Sequence, residues 1–338
     1  MADALPAEIV AAEGELRGPS PEAWFTRLDD EAETLEQALG RSLEHDHEQG
    51  LALAGALWPY WLARGKLDSG RNWLTQLLAA SEWDERSAAR AKALYGAGTL
   101  AFIQGDREPS LRLHTESLAI ARELNDRGLE ADALIGLARV AVLDSDHLVM
   151  EQRAQASLDA ARSAADQPRI ASALHHIVEA MRRQGRYEEA LPLYFQSLEA
   201  HRAMGDEGGV ALELHNLGNV ARLTGDMVTA ESRLCESIEI AARLNKPRLV
   251  GYCLLGMAHL ARERGEWSRA ARMLGASAAA FDRSGGAIDP DYVGDRDKTL
   301  AAAKAELGDG PFDVEVSAGR GLEQEAAVRE ALASSPPA

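Results

Sequence analysis

The chain is poor in the residues that cross-link a fold or carry most enzyme chemistry. Only two of its 338 residues are cysteine, Cys235 and Cys253, and aromatic residues make up 5%. Two thiols in a chain this long do not build a disulfide framework; they read as reduced, partly buried residues of a cytosolic protein. No stretch approaches 18 consecutive apolar residues, which excludes a membrane-spanning helix. The opening segment, Met1 to Glu15, contains acids and no basic n-region, so it does not read as a secretory signal. A G-x-x-x-x-G-K-[ST] phosphate loop is absent, and no alternating Val/Ile/Thr run reads as a strand. Cations are in deficit as well: 36 Lys and Arg stand against 54 Asp and Glu, a net charge of −18. Such a chain is repelled by nucleic acid and by anionic membranes.

What the chain does have is Ala, Leu, Glu and Arg in abundance, a composition that favours helix throughout. It also has a period. Glycine stands at positions 65, 105, 185, 225 and 265, each at the end of an apolar helical run. Each lies one 40-residue period from the last, save that one beat is skipped; it falls on Ser145, within Asp144-Ser145-Asp146. A fixed period over most of the chain predicts a repeat protein in which each unit buries its apolar face on the next. In such an array function resides on a repeated surface rather than in one catalytic pocket.

The third unit serves as a ruler. Helix A is expected over 131–143, a turn at 144–146, and helix B over 147–164, ended by Asp166-Gln167-Pro168. In helix A, Leu94, Leu134, Leu174, Leu214 and Leu254 share one position. Ala97, Leu137, Ile177, Leu217 and Met257 follow three residues later, and the mostly small Gly98, Ala138, Val178, Gly218 and Ala258 four later. This i, i+3, i+4 spacing marks one buried helical face, and the small position lets two backbones approach. In helix B, Ser117, Ser157, Ser197, Ser237 and Ser277 recur with the same period. Each is expected to bond its own helix's carbonyl one turn back and to pack a tight crossing. No histidine or acid repeats beside them, so they are not nucleophiles. Asp106 and Asp226 are expected to cap helix B.

Leu214-His215-Asn216-Leu217-Gly218-Asn219-Val220-Ala221, then Thr224-Gly225-Asp226, then Ala230, resembles a tetratricopeptide repeat. The usual period of that repeat is about 34 residues, and a 40-residue period also suits HEAT-type repeats. The small residue in mid-helix A, the glycine turn and the downstream alanine favour a long tetratricopeptide variant. The resemblance implies an all-α, right-handed α-solenoid of about six helix pairs, whose helices A line a concave groove for a peptide or protein segment.

The ends are less regular. Residues 1–19 are expected to be disordered. Ser20-Pro21-Glu22 reads as a helix start, with one helix running over 21–44. Repeats and their N-terminal cap fill 20–286, C-terminal capping helices 287–333, and a disordered tail 334–338. In the C-terminal part, helices are expected over 291–307 and 322–332, with Gly308-Asp309-Gly310-Pro311 as a turn between them. Trp24-Phe25-Thr26-Arg27-Leu28, Trp58, Trp61, Arg64-Gly65-Lys66 and Trp73-Leu74 resemble the opening of the helical sensor arm of STAND-type regulatory ATPases, LuxR-like bacterial transcription regulators among them. Residues 300–308, Phe312, Gly319-Arg320 and 326–331 resemble its close. That resemblance implies a regulatory arm that binds a small effector or a partner ATPase. Without a phosphate loop, ATPase activity does not come with it.

Candidate groove residues follow from the register. One position gives Arg182, Arg222 and Arg262; another gives Arg139, Glu179, Asn219 and His259; a third gives His175 and His215, with His176 and Asn216 adjacent. Arginines at one helix-stack spacing, ~10 Å apart, suit the carboxylates of an acidic peptide. Asn216 and Asn219 suit a peptide backbone. The alternative is that these arginines pair with Glu179, Glu213, Glu263 or other acids and only solvate the face. His175 and His176 are neighbours on a helix and diverge, so no metal site is expected. No cofactor is implied and no catalytic constellation is visible.

Overall fold

The structure, a computed structural model, describes residues 4–18, 20–81, 86–284, 288 and 290–333. Nineteen helices and no strand occur among the described residues. The chain divides into two compact units, 1–205 and 206–338. The first holds α1 (Leu5–Ala11), α2 (Glu13–Leu16), α3 (Glu22–Asp30), α4 (Ala32–His45), α5 (His47–Ala63), α6 (Leu67–Ala80), α7 (Ala88–Ile103), α8 (Arg107–Glu123), α9 (Arg127–Leu143), α10 (His147–Ser163), α11 (Gln167–Arg183) and α12 (Tyr187–Ala203). The second holds α13 (Glu207–Leu223), α14 (Met227–Arg243), α15 (Pro247–Glu263), α16 (Trp267–Ser284), α17 (Pro290–Leu307), α18 (Asp309–Arg320) and α19 (Gln324–Leu332). The fold is an all-α tetratricopeptide-like solenoid, with odd-numbered helices from α5 to α15 as helix A and even-numbered helices from α6 to α16 as helix B.

The 40-residue period has a simple origin. Each helix from α9 to α15 has 17 residues, and three residues separate consecutive helices. Helix A of the third unit therefore starts at Arg127, four residues earlier than the apolar pattern suggests. Asp126, Asp146, Asp166, Asp206 and Asp226 each accept a backbone N–H three residues on, a cap that recurs at both kinds of turn. Asp106 makes no such cap bond and pairs with Arg71 instead. Ser145 keeps the skipped beat by adopting φ +55°, the left-handed conformation that Gly185 and Gly225 adopt at the same point. The B-to-A turns use the same geometry at Asn125, Ala165, Gly205 and Asn245.

Two devices lock helix B onto its neighbours. The recurrent serine hydroxyl donates to a carbonyl of the preceding helix A, rather than to its own helix. Ser117 reaches Ala91 O at 2.8 Å, Ser157 reaches Ala131 O at 2.9 Å and Ser277 reaches Gly251 O at 2.8 Å. The second device is a knob. A Cβ on Gly98 or Gly136 would overlap the ring of His114, and a Cβ on Gly218 or Gly256 would overlap Leu234. A helix B side chain thus fills a slot cut by glycines on its own helix A and on the next.

The ends depart from the sequence reading. Residues 4–18 are helical where disorder is expected, because Leu5, Ile9, Ala12 and Leu16 form one apolar stripe that is buried. The helix expected over 21–44 is two helices, α3 and α4, broken at Glu31; α3 has Pro21 at its N-cap and no side-chain cap. Helices α17 and α19 fall where expected. Gly308 does turn, at φ +80°, but Pro311 lies in the first turn of α18, where its missing N–H costs nothing. Helix α18 crosses α16 at Gly275 and Gly319, where a Cβ on either would strike the other helix's backbone. Gly285 and Gly286, read as a break, and the tail 334–338 lie outside the described residues. Among the described residues no helix is long and apolar enough to cross a membrane.

His114 is fully buried, and neither ring nitrogen has a hydrogen-bond partner. Burial, with the nearby Arg139 charge, lowers its pKa to about 3. The unfolded chain binds this proton near pH 6.5, so stability is complete above that pH and is lost as pH falls toward 3, by up to about 1.4 kcal/mol per pH unit. His114→Leu, which copies Leu234 in the equivalent slot, should flatten this loss. Thermal unfolding at pH 7 and pH 5 measures it; an equal drop in Tm for both proteins would contradict the assignment.

Candidate functional site

Within each unit the helices A lie side by side: α5 on α7, α7 on α9 and α9 on α11 in the first, α13 on α15 and α15 on α17 in the second. The 40-residue period then aligns equivalent side chains into rows. Lys92, Asp132 and Ser172 form one row in the first unit, with Tyr95, Ile135 and His175 three residues on. In the second unit the same rows read Leu212, Tyr252, Tyr292 and His215, Leu255, Asp295.

In the first unit this face already holds a piece of the chain. Helices α1 and α2 pack on α5, and the side chains of Glu13 and Arg17, at the two ends of α2, reach α7 and α9. The Arg17 guanidinium grips Asp132 of α9 with both forks, Nη1 to Oδ2 and Nη2 to Oδ1, each 2.9 Å. Arg17 also lies over the rings of Tyr95 and Trp58, 5.5 and 5.9 Å from their centroids, and these rings meet edge to face. Glu13, one turn earlier, receives Lys92 of α7 at 2.5 Å. Arg169 of α11 holds Asp132 Oδ2 from the other side at 2.7 Å. Burial alone would raise the pKa of Asp132, but the charges and hydrogen bonds of Arg17 and Arg169 hold it at about 2. Burial likewise opposes the charge on Arg17, and Asp132 more than restores it.

Further along this unit, the sequence-expected residues pair among themselves. Arg182 donates to both oxygens of Glu179, at 2.9 and 2.7 Å, and Arg183 joins at 2.8 Å. Burial opposes ionisation of Glu179, yet these arginines lower its pKa to about 2. Arg139 Nε donates to His176 Nε2 at 3.2 Å, and His176 Nδ1 donates to Ser172 O at 2.7 Å. Burial and the Arg139 charge drive the His176 pKa well down, so its ring is neutral. The His175 ring stands edge-on to it at 5.4 Å. Among the described residues no three His, Cys, Asp or Glu converge as metal ligands.

In the second unit, His215, Asn216 and Asn219 are buried and bond to one another: Asn219 Nδ2 to His215 Nε2 is 2.9 Å, and His215 Nδ1 to Asn216 Oδ1 is 3.3 Å. Arg222 and Arg262 do meet a carboxylate, as their register suggests, but the chain supplies it. Asp295 of α17 accepts from Arg222 Nη2 at 2.5 Å and from Arg262 Nη1 at 3.2 Å. Thr299, one turn on, accepts from Arg262 at 2.8 Å and lies 2.7 Å from His259 Nδ1. Burial, then the Arg222 charge, lowers the His259 pKa to about 3. Asp295 is held ionised against its burial by the charges and hydrogen bonds of Arg222 and Arg262.

Sequence reasoning missed Arg17, Asp132, Trp58, Tyr95 and Asp295. Asp132 carried a signal, because it sits one period after Lys92 in a face-directed row. Arg17 lay in a segment read as disordered. Asp295→Asn removes the charge that Arg222 pairs with at 8% side-chain exposure. It should cost about 2–4 kcal/mol, read as a lower urea midpoint; a loss under about 0.5 kcal/mol would show that the cluster is not coupled.

A tetratricopeptide-repeat family profile matches residues 173–207. No curated protein matches the chain. Among solved structures, a Rap protein complexed with competence and sporulation factor aligns with a TM-score of 0.58 at 16% identity, over 96% of each chain. The apo form of RapI aligns at 0.62 and 12% identity, over 93% of this chain and 85% of that one. The apo quorum sensor NprR from B. thuringiensis aligns at 0.57 and 18% identity, over 91% and 88%, and NprR in complex with its cognate peptide NprX at 0.56. These likenesses show the fold: a tetratricopeptide-like helical repeat over nearly the whole chain. The narrower resemblance to the sensor arm of STAND-type regulators finds no support among them.

Proposed function

We propose that this chain is a non-enzymatic scaffold that binds a peptide or protein segment against the exposed faces of its helices A. The observation that carries the reading is α2. A helical end already sits on this face in the first unit, held by two ion pairs to residues one period apart in sequence, Lys92 and Asp132. A surface that accommodates one segment of polypeptide in this way has the chemistry to accommodate another. The likeness to a Rap protein solved with a signalling factor and to NprR solved with a peptide supports the same reading. Binding suits the face better than turnover does. Its acids and bases are spent on one another, and the recurrent serine hydroxyls of helix B are spent on backbone carbonyls. Of the residues expected from the sequence, Arg139, His175, Glu179 and Arg182 line the first unit's face. On the second's, His215, Asn216, Asn219, Arg222 and His259 are buried, and the pairing of Arg222 and Arg262 with Asp295 argues against a purely acidic ligand.

Site-specific photocross-linking tests this. A benzophenone side chain is placed at Ser172 or Leu212 on the helix A faces, or at Leu148 or Val228, which are 58% and 79% exposed on helix B. The full chain is incubated with a pool of random dodecapeptides. Cross-links are expected from the helix A positions, at least tenfold above those from helix B. Equal labelling at all four positions, or none, would defeat the proposal.

A further inference from the structure

The first unit's face carries more than a generic docking surface. Three features converge on the Arg17 side chain: a carboxylate that accepts both arms of its fork, two aromatic rings centred 5.5 and 5.9 Å from its Cζ, and a position that seats its helix one turn from Lys92. A planar guanidinium uses all of them. Its paired N–H groups match both oxygens of Asp132, and its flat, weakly hydrated face suits the Tyr95 and Trp58 rings. An ammonium group has neither the fork nor the plane. Arg169 leaves Asp132 Oδ1 to Arg17 and shares only Oδ2, so one carboxylate oxygen is still held in place when Arg17 is withdrawn. The chain's net charge of −18 adds a long-range bias toward cationic ligands.

Arg17 is held less firmly than the helix it leaves. Leu5, Ile9 and Leu16 are buried in the core cluster beside α5, whereas the Arg17 side chain is 24% exposed and lies at the C-cap of α2. Its guanidinium can withdraw by side-chain rotation while α1 and α2 stay packed. Resting on the polypeptide-binding reading above, we propose that Asp132, Trp58 and Tyr95 form an arginine-recognition site, occupied in cis by Arg17 and open to an arginine of a partner polypeptide when Arg17 swings out. The ligand class is thereby basic at its anchor, where the register of Arg182, Arg222 and Arg262 had suggested an acidic one.

Chemical rescue tests the site in the full-length protein. Arg17→Ala removes the resident guanidinium and leaves Asp132 unfilled. The probes are N-acetyl-arginine amide and N-acetyl-lysine amide, followed by thermal shift and by tryptophan emission. The arginine amide is expected to raise the Tm of Arg17→Ala saturably, and the lysine amide to do so at least tenfold more weakly. Wild-type protein, with Arg17 in place, is expected to bind the arginine amide at least tenfold more weakly than the variant. Arg17→Ala with Asp132→Asn should lose the response. If Arg17→Ala does not fold, Arg17→Lys takes its place, with the same ranking of probes. Equal responses to arginine and lysine amides, a response that survives Asp132→Asn, or no saturable response would each overturn the site. These outcomes are separate from the cross-linking result: dodecapeptides captured on helices A without any arginine preference would leave the scaffold reading intact and remove only this one.

Discussion

Within each unit the structure depends on how a helix B is clamped between two helices A, as α8 is between α7 and α9 and α14 between α13 and α15. In α8, α10, α14 and α16 a serine hydroxyl ties it to the helix A before it, and in α8 and α14 a single side chain enters a slot formed by that helix and the next. Where the slot is cut by glycines, the knob is large, as with His114 between Gly98 and Gly136 and Leu234 between Gly218 and Gly256. Hydrogen bond and slot together fix the rotation of each helix about its own axis. Once that rotation is fixed and the helices are equal in length, the same side of every helix A within a unit must face away from the helices B. The candidate face is therefore a consequence of core packing, and residues one period apart become neighbours on it.

That constraint explains which features were legible in the sequence. The period, the helix pairs, the glycine turns and the buried leucine rows are all imposed by the core, where only a few residue types fit, so they repeat visibly. The B-to-A turns repeat in geometry but not in letter, because Asn125, Ala165 and Asn245 tolerate the left-handed backbone that Gly205 adopts. The serine row was visible, yet its partner was not. A hydroxyl near a helix crossing can bond its own helix or the next, and only the crossing geometry decides. The glycine-to-glycine contact between α16 and α18 was hidden for a similar reason: the same Gly-Pro letters serve a turn and a first helical turn.

The candidate face was half legible. Register singled out Arg182, Arg222 and Arg262 as candidates for binding a peptide's carboxylates; in the structure each pairs with an acid of the chain itself. It did not reveal who supplies the carboxylate to Arg222 and Arg262, since Asp295 lies in α17, beyond the last clear repeat. Nor did it reveal Arg17, because the stripe of Leu5, Ile9, Ala12 and Leu16 is short and sits among alanines. Both omissions have one cause. Period reasoning sees what recurs, and the contacts that fill the two faces come from segments that do not.

In the first unit the chain thus acts as its own ligand, placing an arginine on the face that we propose receives polypeptide. The most direct measurement is a double-mutant cycle in urea on wild type, Arg17→Gln, Asp132→Asn and the double variant. A buried, two-forked ion pair on this face requires a coupling energy of about 1.5–3 kcal/mol between the two sites. Additivity within about 0.5 kcal/mol would mean that Arg17 does not occupy the Asp132 site, and the account of the face would fail with it.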